Sequence, residues 1–223
     1  MGNLEIVYED DWLIVVNKPS GLLSISTGKD GEETVCSLLN DYTRVFIVHR
    51  LDRDTSGLLL FAKDFQTKEM LQDNWNEVVL ERKYIALLEG HIDSTEGWIE
   101  TWLRDNPKST KVQCRAYDGS MDSERLEENG WKFASSHCMS LKEGKIDGQT
   151  YTMVEFELET GRKNQIRVQA QWIGHPVAGD KKYGARTNPL GRLALHARTL
   201  SFIHPHTGKT LSFTSRLPKG FRF

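Results

Sequence analysis

Long apolar runs, a cysteine framework, a phosphate-cradling glycine loop and a large net charge are all missing from this 223-residue chain. No stretch approaches the roughly 20 apolar residues that a membrane-crossing helix needs. Met1-Gly2-Asn3-Leu4-Glu5 carries no signal-peptide core and runs straight into strand-like sequence, so a cytoplasmic protein is expected. Cys36, Cys114 and Cys138 are odd in number, far apart and without ligand spacing, which argues against disulfides and zinc and for reduced thiols. No GxGxxG stretch and no Gly-rich phosphate loop occurs, so a nucleotide-dependent or hydride-transferring enzyme is not indicated. A formal net charge of −2 excludes a strongly basic nucleic-acid binder on totals alone. Internal repeats, linkers and low-complexity tracts are absent as well.

Hydrophobic content of 38% and charged content of 27% describe an ordinary globular chain with enough length to bury a real core. The charge is unevenly placed. Between Gly161 and Arg192, seven basic residues (Arg162, Lys163, Arg167, Lys181, Lys182, Arg186 and Arg192) meet one acid, Asp180. Such a patch receives a phosphate backbone or is a solvated basic face. The segment Asp118 to Gly130 is acidic and poor in apolar residues, and reads as an exposed turn or short helix with weak order and no chemistry.

Strands are expected at Glu5 to Tyr8 and Trp12 to Val16 as a hairpin, and at Leu58 to Ala62 as a short, wholly apolar central strand. Further strands fit Arg82 to Glu89, Gly97 to Leu103, Lys111 to Tyr117 and Thr150 to Leu158, with a terminal hairpin from Leu193 to Ile203 and Thr210 to Thr214. Helical spacing appears after a Thr34 cap (Val35, Leu38, Leu39, Tyr42), from an Asp64 cap through Val79, and from Ile166 to Ile173, stopped by Gly174 and Pro176. Strands outnumber helices without regular alternation, which predicts an α+β fold with a mixed, largely antiparallel sheet.

The stretch His49 to Asp64, HRLDRDTSGLLLFAKD, sends a charge-dense loop into the central strand. Two readings fit its composition: Arg50, Asp52, Arg53 and Asp54 pair with one another and with water, or the loop mounts a reactive carboxylate on a rigid sheet. HRLDRDTSGLLL is preceded by Lys18-Pro19-Ser20-Gly21 and followed in order by KYIALLEG, GRKNQIRV, GHPVAGDKKYG and RLALHA. Taken together, these stretches resemble the Rlu A-type family of RNA pseudouridine synthases over most of the chain.

The resemblance implies one catalytic domain over residues 1–223, its sheet split into two halves around an RNA-binding cleft, and no separate N-terminal RNA-binding module. It implies an enzyme that cleaves the bond between uracil and ribose in ribosomal or transfer RNA, turns the base and rejoins it through carbon 5. That change is redox-neutral, so no cofactor and no metal is expected; the protein is expected to act as a monomer. By resemblance Asp52 is the reacting carboxylate. Arg167 is the cation that keeps it ionised, and Tyr84 is the residue that stacks on uracil and helps move a proton. Arg50 then fills the gap left by the flipped nucleotide, Ile166 lies beside the substrate, and Lys181 and Lys182 meet RNA phosphates. Read from the residues alone, Arg167 is an ordinary helix position and Tyr84 a half-buried strand tyrosine. His175, His196 and His204 are read as structural or hydrogen-bonded.

This chain departs from the family at Lys163-Asn164, where many members have Thr-His or Ser-His, and at Gln169, where many have His. Local RNA contacts are expected to differ there. Two other readings remain: a non-catalytic RNA-binding protein, and a metal-dependent RNA phosphodiesterase built on His49, Asp52 and Asp54 with His204 and His206 as further ligands.

Overall fold

In the computed structural model, which describes residues 4–29, 31–93, 95–119 and 123–221, the chain folds into two compact units: Met1–Lys83 with Leu195–Pro218, and Tyr84–Ala194 with Lys219–Phe223. The architecture is mixed α+β with a largely antiparallel sheet and few helices, as the strand-rich pattern predicts.

In the first unit, β1 (Glu5–Glu9) and β2 (Leu13–Lys18) form the expected antiparallel hairpin. Asp10 closes its turn by accepting the Trp12 and Leu13 N–H groups at 2.8 and 2.7 Å, the local side-chain bond that suits aspartate to turns. Beside β2 runs β4 (Ser56–Ala62), buried along its whole length, with β3 (Phe46–Ile47) against its C-terminal end. Strand β10 (Leu195–Ile203) pairs in parallel with β4 at His196↔Ser56 and Ala197↔Gly57, and its other edge carries β11 (Thr210–Thr214) in an antiparallel hairpin. Gly57 is required at that crossing. Its φ is +117°, and a Cβ there would lie 2.1 Å from the Ala197 carbonyl oxygen.

Leu13, Val15, Leu58, Leu60, Leu200 and Phe202 form the core under this sheet, each worth about 1.5–3 kcal/mol of burial. Leu71 seals it from α2 (Phe65–Asp73). Thr34 caps α1 (Val35–Asn40) in a reciprocal capping box with Ser37, and Asp64 caps α2 through the Thr67 N–H. Two helix expectations need correction. Tyr42 falls beyond α1, half exposed, because Asp41 ends the helix. The helix expected from Phe65 through Val79 breaks at Asn74, whose amide donates to the Met70 carbonyl at 2.9 Å while its own carbonyl starts α3 (Trp75–Val78).

The division between units falls within β5 (Val79–Glu89). In the second unit the strand order is β5, β9 (Gln149–Leu158), β8 (Lys132–Ile146), β6 (Glu96–Asp105), β7 (Val112–Ala116). The sequence reading missed β8, the fifteen-residue strand on which β6 and β9 both pair. Part of the acidic segment forms α4 (Ser123–Glu128), while Asp122 lies outside the described residues. Helix α5 (Gln165–Trp172) lies on β6 and β7, sharing a core of Leu103, Val112, Ala134, Val168 and Tyr183. The three cysteines are free and half-buried; burial raises every thiol, Cys114 to about 11.

Candidate active site

Asp52 is half-buried in the loop entering β4, whereas Asp54, two residues on, is exposed. The loop is held by a second loop, Lys18-Pro19-Ser20-Gly21, almost entirely through its backbone. The Lys18 ammonium donates to the carbonyls of Pro19, Leu22 and Arg53 at 3.1, 2.7 and 2.8 Å, matching the three donors that an ammonium carries. The side chain is 0% exposed, an unusual place for a lysine. Gly21 N–H donates to the Arg53 carbonyl at 3.0 Å, and Ser20 Oγ to the Asp54 carbonyl at 2.6 Å. Ser24 Oγ both donates to the Leu51 carbonyl and accepts the Leu51 N–H. Asp52 itself accepts the Thr55 N–H on its carbonyl. A loop whose carbonyls are fixed one after another holds its side chains in register, which chemistry at a single carboxylate needs. Arg50, close by in the same loop, is exposed.

His49 ties the same loop to the strand. Its Nε2 accepts the Leu60 N–H at 3.1 Å, and its ring lies 5.0 Å from Trp75. Burial, with the Arg82 charge nearby, pushes its pKa down to about 3. An unfolded chain takes up a proton there near 6.5, so between about 6.5 and 3 the unfolded state binds a proton that the folded state refuses. The His49 contribution is therefore complete above pH 6.5 and lost as the pH falls, by about 1 kcal/mol per pH unit. His49→Gln keeps an acceptor for Leu60. Thermal unfolding of this variant should decline less steeply than wild type as the medium is acidified below 6.5; parallel curves would mean that the native imidazole takes up protons freely.

The second unit contains Tyr84, Ile166, Arg167, Lys181 and Lys182. Tyr84 is half-buried on β5, and Ile166 is buried on α5. Arg167 is buried too, and its guanidinium is oriented by a partner the sequence reading did not assign. Nε and Nη2 donate to the two carboxylate oxygens of Asp180 at 2.6 and 2.9 Å, and Nη1 donates to Asn164 Oδ1 at 3.2 Å. The Tyr183 ring lies 5.1 Å below the guanidinium, while its hydroxyl accepts from Asn164 Nδ2 and the Val112 N–H. Asn164 takes the left-handed conformation at φ +53°, which asparagine tolerates better than most residues. Because Asp180 is engaged by Arg167, the outward-facing basic residues of the 161–192 segment have no acid among them.

Two glutamines fix the helix under Arg167. Gln165 Nε2 donates to the Ser135 carbonyl and Ser136 Oγ, and Gln169 Nε2 donates to the Ile99 carbonyl at 2.8 Å while its Oε1 accepts from Ser136 Oγ. Gln169 is 0% exposed, so in this chain the side chain at this position ties α5 to β6 and β8. Lys163 is exposed and paired with Asp105. Lys181 is exposed, and Lys182 donates to the Thr110 carbonyl.

The histidines of the metal alternative are engaged elsewhere. His204 Nδ1 accepts the His206 and Thr207 N–H groups, so its Nε2 carries the proton it shares with Asp10 at 2.9 Å. His206 Nε2 meets Thr67 Oγ1, whose own proton goes to Asp64. Among the described residues no three His, Cys, Asp or Glu side chains are grouped to hold a metal. His196 bridges Ser56 and Ser215, and His175 bonds the Glu89 carbonyl, in keeping with structural roles.

The family model for RNA pseudouridylate synthase matches residues 12–172. An uncharacterised RNA pseudouridine synthase of Bacillus subtilis, YlyB, is 36% identical over 97% of this chain and 70% of its own length. Ribosomal large subunit pseudouridine synthase D of Neisseria meningitidis serogroup B is 36% identical over 96% of this chain, which spans 58% of that protein. Among solved structures, human RNA pseudouridylate synthase domain containing 1 superposes with a TM-score of 0.77 at 26% identity, covering 96% of this chain and 83% of the human one.

Proposed function

Since the chain belongs to the RNA pseudouridylate synthase family and is an enzyme that isomerises uridine in RNA, we propose that Asp52 is the carboxylate on which its reaction turns. The observation that supports this choice is the mounting of the Asp52 loop, pinned at Leu51, Arg53 and Asp54 by Lys18, Ser20 and Ser24. The reaction breaks the bond from uracil N1 to ribose C1′ and makes a bond from C5 to C1′; N1 gains a proton and C5 gives one up. An ionised carboxylate serves the first step as nucleophile or as the charge that steadies an electron-poor sugar. Tyr84 faces the base, stacking on it and relaying the proton. Arg167 supplies positive charge to the reacting centre, and Ile166 lines the substrate side of its helix. Arg50, exposed in the loop that carries Asp52, takes the place of the nucleotide that leaves its stack, offsetting part of the few kcal/mol that flipping costs. Lys181 and Lys182 meet the RNA backbone.

The substrate is ribosomal or transfer RNA in the cytoplasm. The Neisseria relative, named for the large ribosomal subunit, supports the ribosomal choice. A transcriptome-wide carbodiimide stop map of a deletion strain and its parent tests it: stops at one or a few uridines should vanish on deletion and return with the wild-type gene but not with Asp52→Asn. A map unchanged by deletion would remove these RNAs from the substrate list.

A further inference from the structure

The residues assigned above leave unused a basic hollow of the second unit, formed by β6, the loop to β7, the start of β8 and the segment before α5. It measures about 600 Å3 and is lined by Arg104, Lys132, Arg162 and Lys163 against one carboxylate, Asp105. This concentration of one sign stands on a chain whose total charge is −2.

The way these cations are held matters more than their number. Arg104 Nε and Nη2 donate to Gln113 Oε1 at 3.1 and 2.9 Å, Nη1 donates to the Asn129 carbonyl, and the guanidinium lies 4.6 Å from the Trp131 ring centre. Arg162 Nε donates to the Phe133 carbonyl at 2.8 Å. Both guanidiniums are thus aimed by neutral acceptors, which fix their geometry without cancelling their charge. Lys132 is exposed, and among the described residues its ammonium makes no hydrogen bond or ion pair. Among the described residues only Lys163 of these four meets a carboxylate, in an exposed pair with Asp105 at 2.7 Å that contributes little and exchanges readily. A concave surface with fixed, unneutralised positive charge focuses its field on an incoming polyanion.

We infer that this hollow binds phosphodiester groups of the substrate RNA on a stretch other than the reacting nucleotide, an inference that rests on the RNA-modifying reading above. Its volume admits a phosphate with flanking sugars, and its charge is carried by residues that the chemistry does not require. The hollow therefore governs how tightly a long RNA is held, while the isomerisation of a short one proceeds without it.

The test measures binding of unmodified large-subunit ribosomal RNA, transcribed in vitro, as a function of salt. Compared are wild type, Lys132→Glu/Lys163→Glu, and the milder Lys132→Gln, with thermal unfolding of each. The double variant should bind at least about tenfold more weakly near physiological salt, with a log–log salt slope lower by roughly 0.7 for each phosphate that is no longer neutralised. Lys132→Gln should show about half that change in slope, and carries the test if the double variant unfolds. Single-turnover conversion of a uridine-centred pentanucleotide at saturating enzyme should be the same for all. Affinity and slope unchanged in folded variants, while wild type forms pseudouridine, would overturn the hollow and leave the enzymatic reading in place. Wild type that forms none on any RNA, while binding still falls in the variants, would sink the enzymatic reading and keep the hollow. Displacement of RNA by low-millimolar inorganic phosphate at constant ionic strength would assign the hollow to a small phosphorylated ligand instead.

Discussion

Asp52→Asn is expected to lower pseudouridine formation by on the order of 10⁴-fold or more in single turnover with saturating enzyme, the scale seen when one member of a reacting unit is removed. The amide keeps the size and shape of the carboxylate and discards its charge and most of its nucleophilicity. RNA binding and thermal unfolding should barely move, because the loop keeps its bonds through the carbonyls of Leu51, Arg53 and Asp54 and the amide keeps the side chain's size and polarity. Asp54→Asn is the control on the same loop. Its side chain is exposed and its backbone carbonyl is the group that Ser20 uses, so turnover should stay within a few-fold of wild type. Substantial turnover by Asp52→Asn, or an equal loss in a folded Asp54→Asn, would place the chemistry on the wrong carboxylate.

Asp180→Ala should be the most destabilising single change at the Arg167 site. It strips a buried guanidinium of its two bonds to a carboxylate, a loss of about 3 kcal/mol or more when one partner of a buried pair is deleted. The Tyr183 N–H loses its side-chain acceptor in the same stroke. For a chain of this length, about 3 kcal/mol lowers Tm by roughly 6–12 °C. Asp105→Ala removes the exposed partner of Lys163 and should cost less than about 1 kcal/mol. If the two variants unfold within a degree or two of each other, the Arg167–Asp180 pair is not the constraint that its geometry describes.

What was legible in the sequence follows the range of the forces involved. Thr34 and Asp64 were readable as caps because the bonds they make lie within three residues of them. Leu58 to Ala62 was readable as a buried strand because burial on both faces writes itself as an unbroken apolar run. Strand β8 was not, since its apolar content is sparse and its existence rests on ladders to β6 and β9. The break at Asn74 depends on which acceptor a side-chain amide selects, and spacing does not record that choice. As candidates, Asp52, Tyr84 and Arg167 came from the resemblance, whereas the surroundings of each came from the fold. Asp180 stood out only as the single acid in a basic stretch; that it belongs to Arg167 is a tertiary fact spanning thirteen residues. Lys18 belongs to a recognisable motif, but lysine is so seldom enclosed that nothing in the string announces its burial.

That enclosure also sets what reagents can do to the enzyme. Acetylation, carbamylation and glycation all require an uncharged, approachable amine, and the Lys18 nitrogen offers neither while it is bonded to three carbonyls at no exposure to solvent. Surface lysines such as Lys132, Lys163 and Lys181 are open to the same acyl donors. Chemical wear can therefore remove positive charge from these surface positions while the mount of the Asp52 loop stays chemically silent. Only an opening that parts residues 18–22 from Arg53 would expose it.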